Sequence, residues 1–216
     1  MLKEPPRLNF LRGPSLRVWI FTLIFIGLFI MIITDNLHLI TGSRQSVIYT
    51  YADSFMKGEI GSGYGPASNE KVSLTGLEPG DIVLGGWTNC AYGRYSHAGM
   101  YVGNNQVLEG YVDYGLSVQE LSHYLGYTRL CLLRVEASPA IKEKAVAYAL
   151  AHKGEMFYPV AFKQGERFWN CTKIIWEAYR IQGINLDKIN DLWIAPESLQ
   201  ASSDIKILYE KGSPNF

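Results

Sequence analysis

The fold is decided by residues 95–111, which read YSHAGMYVGNNQVLEGY. Two short apolar runs with alternating character flank a Gly-Asn-Asn sequence, and this pattern is typical of a β-hairpin. The first run contains His97 near its start, and the second contains Glu109. The sequence therefore predicts a β-containing domain that carries a histidine and a carboxylate on neighbouring strands.

Whether these two side chains meet depends on the loop of the hairpin. A three-residue loop at 103–105 pairs Glu109 with Gly99, and His97 shares the face of Gly99. Glu109 is then diagonal to His97, with the two Cβ atoms about 7–8 Å apart. A two-residue turn at 104–105 would instead place the side chains on opposite faces. We expect the three-residue loop.

A nucleophile is predicted at the start of a later helix. Asn170 can cap this helix and Gly183 can end it, so that Cys171 falls in the first turn. There the helix dipole and free backbone N–H groups stabilise a thiolate. The alternative role for Cys171 is that of a small residue in the core. The presence of His97 and Glu109 favours the nucleophile, because a thiol relay needs a base and an orienting carboxylate.

The motifs together resemble the circularly permuted branch of the NlpC-type papain-like superfamily, the YiiX/YycO-like proteins, and more distantly the lecithin:retinol acyltransferase group. The resemblance covers about residues 77–200 and implies an α+β, permuted papain-like domain with an antiparallel sheet. It implies Cys171 as nucleophile, His97 as base and Glu109 as the orienting residue, with no cofactor. The strings that carry it are GDIV at 80–83, YSHAGMYVG at 95–103, VLE at 107–109, NCTKIIWEAY at 170–179 and PESL at 196–199.

Four other residues are candidates for the site. Cys90 is a rival nucleophile in a loop, where no helix terminus lowers its pKa. Cys131 lies between leucines and is predicted to be in the core. Tyr95 could stabilise an oxyanion or could pack, and Asp81 could end a turn or reach the site. We expect no metal site, because cysteine or acidic partners at ligand spacing are missing around the remaining histidines, His38, His123 and His152.

The amino-terminal part predicts a membrane anchor. Residues 18–34 read VWIFTLIFIGLFIMIIT, carry no charge, and as a helix would span about 26 Å. Later apolar residues could extend this helix to residue 40. No small-residue cleavage site follows, which favours an uncleaved signal anchor over a signal peptide. Basic residues lie mainly before the span, so the amino terminus is predicted to be cytoplasmic.

The chain is thus predicted to comprise four parts: a basic tail at 1–17, the anchor at 18–40, a stalk at 41–76 with a possible helix at 46–56, and a papain-like domain at 77–216. Lys plus Arg and Asp plus Glu number 20 each, so no net field would attract nucleic acid.

The expected activity is attack on an acyl carbon through a thioester acyl-enzyme. The substrate could be an amide, such as a cell-wall or other peptide, or the ester or thioester of a lipid. A catalytically silent binding module with the same fold is the alternative from a different class.

The topology can be tested by protease treatment of intact cells that express the full chain. We expect the domain from residue 77 onward to be digested, because it lies outside the cytoplasm. A cytoplasmic marker protein should stay intact in the same sample. If the domain survives until the cells are lysed, the predicted orientation is wrong.

Overall fold

The computed structural model describes residues 15–37, 46–68, 72–189 and 191–211, and it divides into two compact units, Met1–His38 and Leu39–Phe216. The first unit contains helix α1 (Leu16–Asp35), which includes the predicted span at 18–34. In the described part of the chain it is the one helix long and apolar enough to cross a membrane. It is compatible with a single-pass anchor or a signal sequence.

The second unit is a mixed α/β domain built on a six-stranded antiparallel sheet with the order β4-β3-β2-β1-β5-β6. Its elements, in chain order, are α2 (Val47–Met56), β1 (Ile82–Gly86), β2 (His97–Gly103), β3 (Gln106–Tyr111), β4 (Gly115–Glu120), a 3-10 helix (Leu121–Gly126), β5 (Arg129–Val135), α3 (Pro139–Ala151), α4 (Cys171–Arg180), α5 (Pro196–Gln200) and β6 (Ile205–Lys211).

Short apolar runs at 81–86, 97–103, 106–111 and 129–135 predict the four inner strands. Capping residues and helical spacing predict the three main helices, including α3 between Ser138 and Gly154. The sequence misses β4 and β6. Both are edge strands, and an edge strand is less buried and shows a weaker apolar pattern than a central one. Most of β6, for example, is exposed or half-buried. The apolar pattern by which a strand is recognised in a sequence is therefore weak in both β4 and β6.

The sheet has an apolar layer on each face. On one face, α3 and α4 pack against the sheet in a large core that includes Leu84, Met100 and Leu108 from the strands. Ile174 and Ala178 of α4 are fully buried in this core, and burial of a side chain such as Ile174 contributes about 1.5–3 kcal/mol. A smaller cluster on the other face lies under the 3-10 helix. The large core therefore fixes α4, and with it Cys171, against the sheet.

The loop between β2 and β3 differs from the prediction. Gly103 pairs with Gln106, so the loop has two residues, Asn104 and Asn105, with φ of 52° and 56°. Such positive φ values are those of a type I′ hairpin turn, in which asparagine is favoured. The three-residue loop was wrong.

The register at the site is nevertheless the predicted one. It shifts between Tyr101 and Gly103, and beyond this irregularity Met100 pairs with Leu108. Val102 is thus the extra residue of a β-bulge, which moves the pairing by one position. Because the bulge cancels the effect of the shorter turn, His97 and Glu109 remain on the same face.

The predicted stalk is corrected over its described residues. Helix α2 begins after Ser46, whose side chain accepts a hydrogen bond from Tyr49 N, and its small polar residues Thr50 and Ser54 are buried. Cys90 makes β-bridges to Gly61 and to Ser62. A side chain at Gly61 would collide with the Asn89 carbonyl oxygen. The glycines here serve close packing rather than flexibility, and residues 46–68 belong to the compact domain. Residues 41–45 and 69–71 lie outside the described residues.

Asp81 forms a buried ion cluster. Its fully buried carboxylate accepts hydrogen bonds from Glu78 N at 2.8 Å, from Arg134 Nη2 at 2.7 Å and from Lys142 Nζ at 3.4 Å. Asp81 therefore joins the turn before β1 to β5 and α3. Of its two predicted roles, the structure shows the one in the turn.

Replacing Asp81 should destabilise the fold. In Asp81→Ala, Arg134 and Lys142 lose a buried counter-ion, which costs about 3–5 kcal/mol of unfolding free energy. Urea denaturation of the full chain, followed by tryptophan fluorescence, measures the change. The matched control is Asp53→Ala, which removes a surface pair with Lys57 and should cost less than about 0.5 kcal/mol. Equal losses in the two variants would contradict the structural role of Asp81.

Candidate active site

His97 and Glu109 are in direct contact. His97 is the first residue of β2 and Glu109 lies in β3, and His97 Nε2 is 2.7 Å from Glu109 Oε2. Only 8% of His97 and none of Glu109 is exposed, so water competes little for this hydrogen bond. The carboxylate can therefore fix the orientation of the imidazole and stabilise its protonated form.

Cys171 is the first residue of α4 and is partly exposed. Asn170 caps the helix, with its Oδ1 accepting a hydrogen bond from Lys173 N at 2.7 Å. Cys171 interacts with the His97 imidazole and acts to raise its pKa. Because Glu109 engages Nε2 of the imidazole, Nδ1 is the nitrogen left for the thiol. The structure thus places Cys171 in the same cleft wall as the His97 that Glu109 holds.

The electrostatics of the pair favour an ionised carboxylate beside a protonated imidazole. Burial disfavours a charged imidazole, but the interactions with Cys171 and Glu109 outweigh it and raise the pKa of His97 above its ordinary value. Burial likewise acts to raise the pKa of Glu109, but the two imidazoles of His123 and His97 outweigh it and lower this pKa to about 2. Glu109 is therefore ionised at neutral pH and holds a proton on His97.

Two partners of Glu109 were not predicted from the sequence. The Tyr124 hydroxyl donates to Oε2 at 2.9 Å, and His123 Nε2 lies 3.3 Å from Oε1, at ion-pair distance rather than in an aligned hydrogen bond. Both residues belong to the 3-10 helix. Gly99 makes room for Tyr124, since a Cβ there would lie 2.7 Å from its hydroxyl oxygen. No pattern in the sequence marks this helix as part of the site.

His123 places a second imidazole on the same carboxylate. Its Nδ1 is 2.5 Å from the Glu120 carbonyl oxygen, so Nδ1 carries a proton. Nε2 can then face Oε1 favourably only when it is also protonated, and otherwise it can accept from the Tyr111 hydroxyl at 3.3 Å. Although burial acts in the opposite direction, Glu109 raises the pKa of His123.

The other candidate residues lie in different surroundings. Cys90 and Cys131 are fully buried, and burial raises the pKa of both thiols, that of Cys131 to about 12. The Tyr95 hydroxyl donates to Glu210 Oε1 at 2.8 Å. This proton is engaged away from the reacting thiol, so Tyr95 packs as the alternative role predicted, and we assign it no oxyanion role.

Cys171 and His97 lie in the wall of a cleft of about 770 Å³, a size usual for binding sites of small molecules. Residues of α2, of the hairpin and of the segment before α5 also line it. The segment predicted as a stalk therefore forms one side of the candidate site.

Acid titration can test the burial of the Glu109 charge. The pKa of Glu109 is lowered on folding, so its contribution to stability is present above about pH 4.5 and is lost as the pH falls toward 2. The pH-dependent difference in unfolding free energy between the parent and Glu109→Gln should therefore shrink by about 3 kcal/mol over this interval. Urea midpoints between pH 2 and 5 measure it. A flat profile for Glu109→Gln would contradict the ionised, buried carboxylate.

The fold of this chain is similar to that of a solved protein structure. A solved structure described as the metalloprotein YiiX from Escherichia coli O157:H7 is similar to the chain, with a TM-score of 0.53 and 15% identity, over 62% of this chain and 97% of that protein. This likeness shows the fold. Within the described residues of this chain, no group of three or more His, Cys, Asp or Glu side chains is arranged to hold a metal ion, and we derive no step through one.

Comparison with curated proteins gives no significant match. Residues 77–201 match the family described as permuted papain-like amidase enzymes, YaeF/YiiX, the C92 family. This segment is more than half of the chain and contains the whole Cys171, His97 and Glu109 arrangement. The protein therefore belongs to the C92 family of permuted papain-like amidases.

Proposed function

We propose that the protein is a membrane-anchored thiol hydrolase that cleaves an amide or ester bond through Cys171, His97 and Glu109. The observation that carries this proposal is the position of His97, which is hydrogen-bonded through Nε2 to the buried Glu109 and lines the same cleft as Cys171. Membership of an amidase family supports the same reaction class.

The reaction proceeds in two steps. The Cys171 sulfur attacks the acyl carbon, and the bond to the leaving amine or alcohol breaks as His97 gives the leaving group its proton. A thioester remains on Cys171. His97 then takes a proton from a water molecule, which attacks the thioester and releases the acid and the free thiol. An acceptor other than water would give acyl transfer instead.

The transition-state oxyanion needs donors that Tyr95 does not supply. The first N–H groups of a helix have no partner within the helix, and in α4 the Asn170 side chain takes up only that of Lys173. We assign the oxyanion to the remaining N–H groups of the first turn, at Cys171 and Thr172. Fixed donors of this kind are worth several kcal/mol in acyl transfer.

Helix α1 supplies the proposed anchor, with the amino terminus in the cytoplasm and the catalytic domain outside it. Its twenty residues match the thickness of a hydrocarbon core. An anchored enzyme would act on envelope or lipid substrates close to the bilayer.

Three substitutions test the separate roles of Cys171, His97 and Glu109. Cys171→Ser replaces the thiol by a hydroxyl of far higher pKa, so turnover should fall to background. His97→Ala removes the base, so turnover and alkylation of Cys171 by iodoacetamide near neutral pH should both drop. Glu109→Gln keeps an acceptor but loses the charge that stabilises imidazolium, and we expect a partial loss on the order of tenfold to a thousandfold. The order of these losses of turnover is measured by steady-state kinetics on amide and ester substrates. Intact-mass analysis detects the acyl adduct.

Cys90→Ser is the matched control for Cys171→Ser. It removes a buried thiol that has no contact with His97 among its described interactions, so activity should persist. Loss of activity in Cys90→Ser with retention in Cys171→Ser would exchange the two assignments. A thiol that iodoacetamide fails to modify at neutral pH, together with no turnover, would favour the silent binding module.

A further inference from the structure

The cleft beside Cys171 is walled by aromatic side chains. Six of them come from separate parts of the domain: Tyr51, Trp87, Tyr111, Tyr127, Phe157 and Trp193. Tyr111 also stacks on the His97 ring, with the ring centroids 5.0 Å apart. An apolar wall therefore continues from the reacting group into the cleft.

The lining holds little positive charge. Its described residues include no lysine or arginine, its one acidic residue is the exposed Asp113, and its one cation is the His97 imidazolium, which is already paired with Glu109. A carboxylate bound in the cleft away from His97 would lose its hydration and find no cationic partner, which is strongly unfavourable. Acidic cell-wall peptides, which carry several carboxylates, therefore fit this cleft poorly.

Several polar side chains of the lining are bonded to the protein itself. The Asn170 amide donates to the Pro159 carbonyl at 3.2 Å, the Thr172 hydroxyl donates to the Ile194 carbonyl at 2.8 Å, and Tyr95 donates to Glu210. A peptide needs partners for its amide groups along its length, whereas a hydrocarbon chain needs none. The engaged polar groups thus favour a substrate with few polar atoms.

The mouth of the cleft is also apolar. Tyr64, Val112 and Val160 line it and remain 85%, 72% and 48% exposed. Exposed apolar groups next to a cleft are typical of sites that receive apolar ligands. The apolar lining therefore extends to the surface of the domain.

From these observations we infer that the cleft binds a long, uncharged acyl chain, and that the substrate is an acyl ester, thioester or amide of a lipid-like amphiphile. The inference rests on the proposed function, because Cys171 must take up the acyl group. The chain lies along the aromatic wall with its carbonyl carbon at Cys171. The Cys171 sulfur forms a bond to the acyl carbon, and the bond from that carbon to the head-group oxygen, sulfur or nitrogen breaks as the head group leaves with a proton from His97. Water then attacks the thioester and releases the fatty acid and the free thiol.

Chain-length dependence tests this inference. The full chain in lipid nanodiscs is given p-nitrophenyl esters from acetyl to octanoyl, each below its aggregation concentration. Because each buried methylene stabilises binding, kcat/KM should rise about fourfold per added methylene until the cleft is filled. The Val160→Asp variant, with a charge in the wall, should lower the octanoyl-to-acetyl ratio of kcat/KM more than tenfold. Leu150→Asp, on α3 and outside the cleft lining, is the matched control and should keep the parent ratio.

The outcomes separate the inference from the proposed function. If all the esters turn over equally and Cys171→Ser abolishes the reaction, the acyl-chain inference fails and the thiol mechanism stands. A preference for neutral peptide anilides over octanoyl esters would also overturn the inference. If no substrate gives a Cys171-dependent rate or an acyl adduct, the proposed function itself fails.

Discussion

The arrangement of the site depends on one buried charge, the Glu109 carboxylate. Isolated ionised carboxylates are very costly to bury, and here the cost is offset by a Tyr124 hydroxyl and two imidazoles. These partners come from β2 and from the 3-10 helix, so the carboxylate ties the hairpin to the layer that covers it. The orientation of the His97 imidazole in the cleft wall follows from this contact.

Different parts of the structure position the residues of the candidate site. The core that contains α3 and α4 places Cys171 at a capped helix start, while the pairing of β2 with β3 brings Glu109 to His97. The helix contributes a local field that favours the thiolate, and the sheet contributes the base. Among the described residues, Cys90 and Cys131 have neither a helix start nor an imidazole beside them, and burial raises the pKa of both thiols.

The segment before the sheet contributes to the candidate site. Residues 46–68 pack on the domain and supply Tyr51 and Tyr64 to the cleft. Part of the cleft wall is thus built from a segment whose glycines and polar residues gave no sign of it in the sequence.

The sequence by itself determined the hairpin, the capped helix of Cys171 and the apolar helix α1, because local periodicity and capping residues specify such elements. It also led to the three residues of the relay, through their types and the resemblance they carry. Only the tertiary structure decided the Val102 bulge, since a bulge is set by how two strands pair and not by either strand alone. The partners His123 and Tyr124, the packing of residues 46–68 and the engaged hydroxyl of Tyr95 were likewise decided by contacts between residues distant in the chain. Contacts between distant residues produce no periodic pattern along the chain, and for this physical reason they could not be predicted from the sequence.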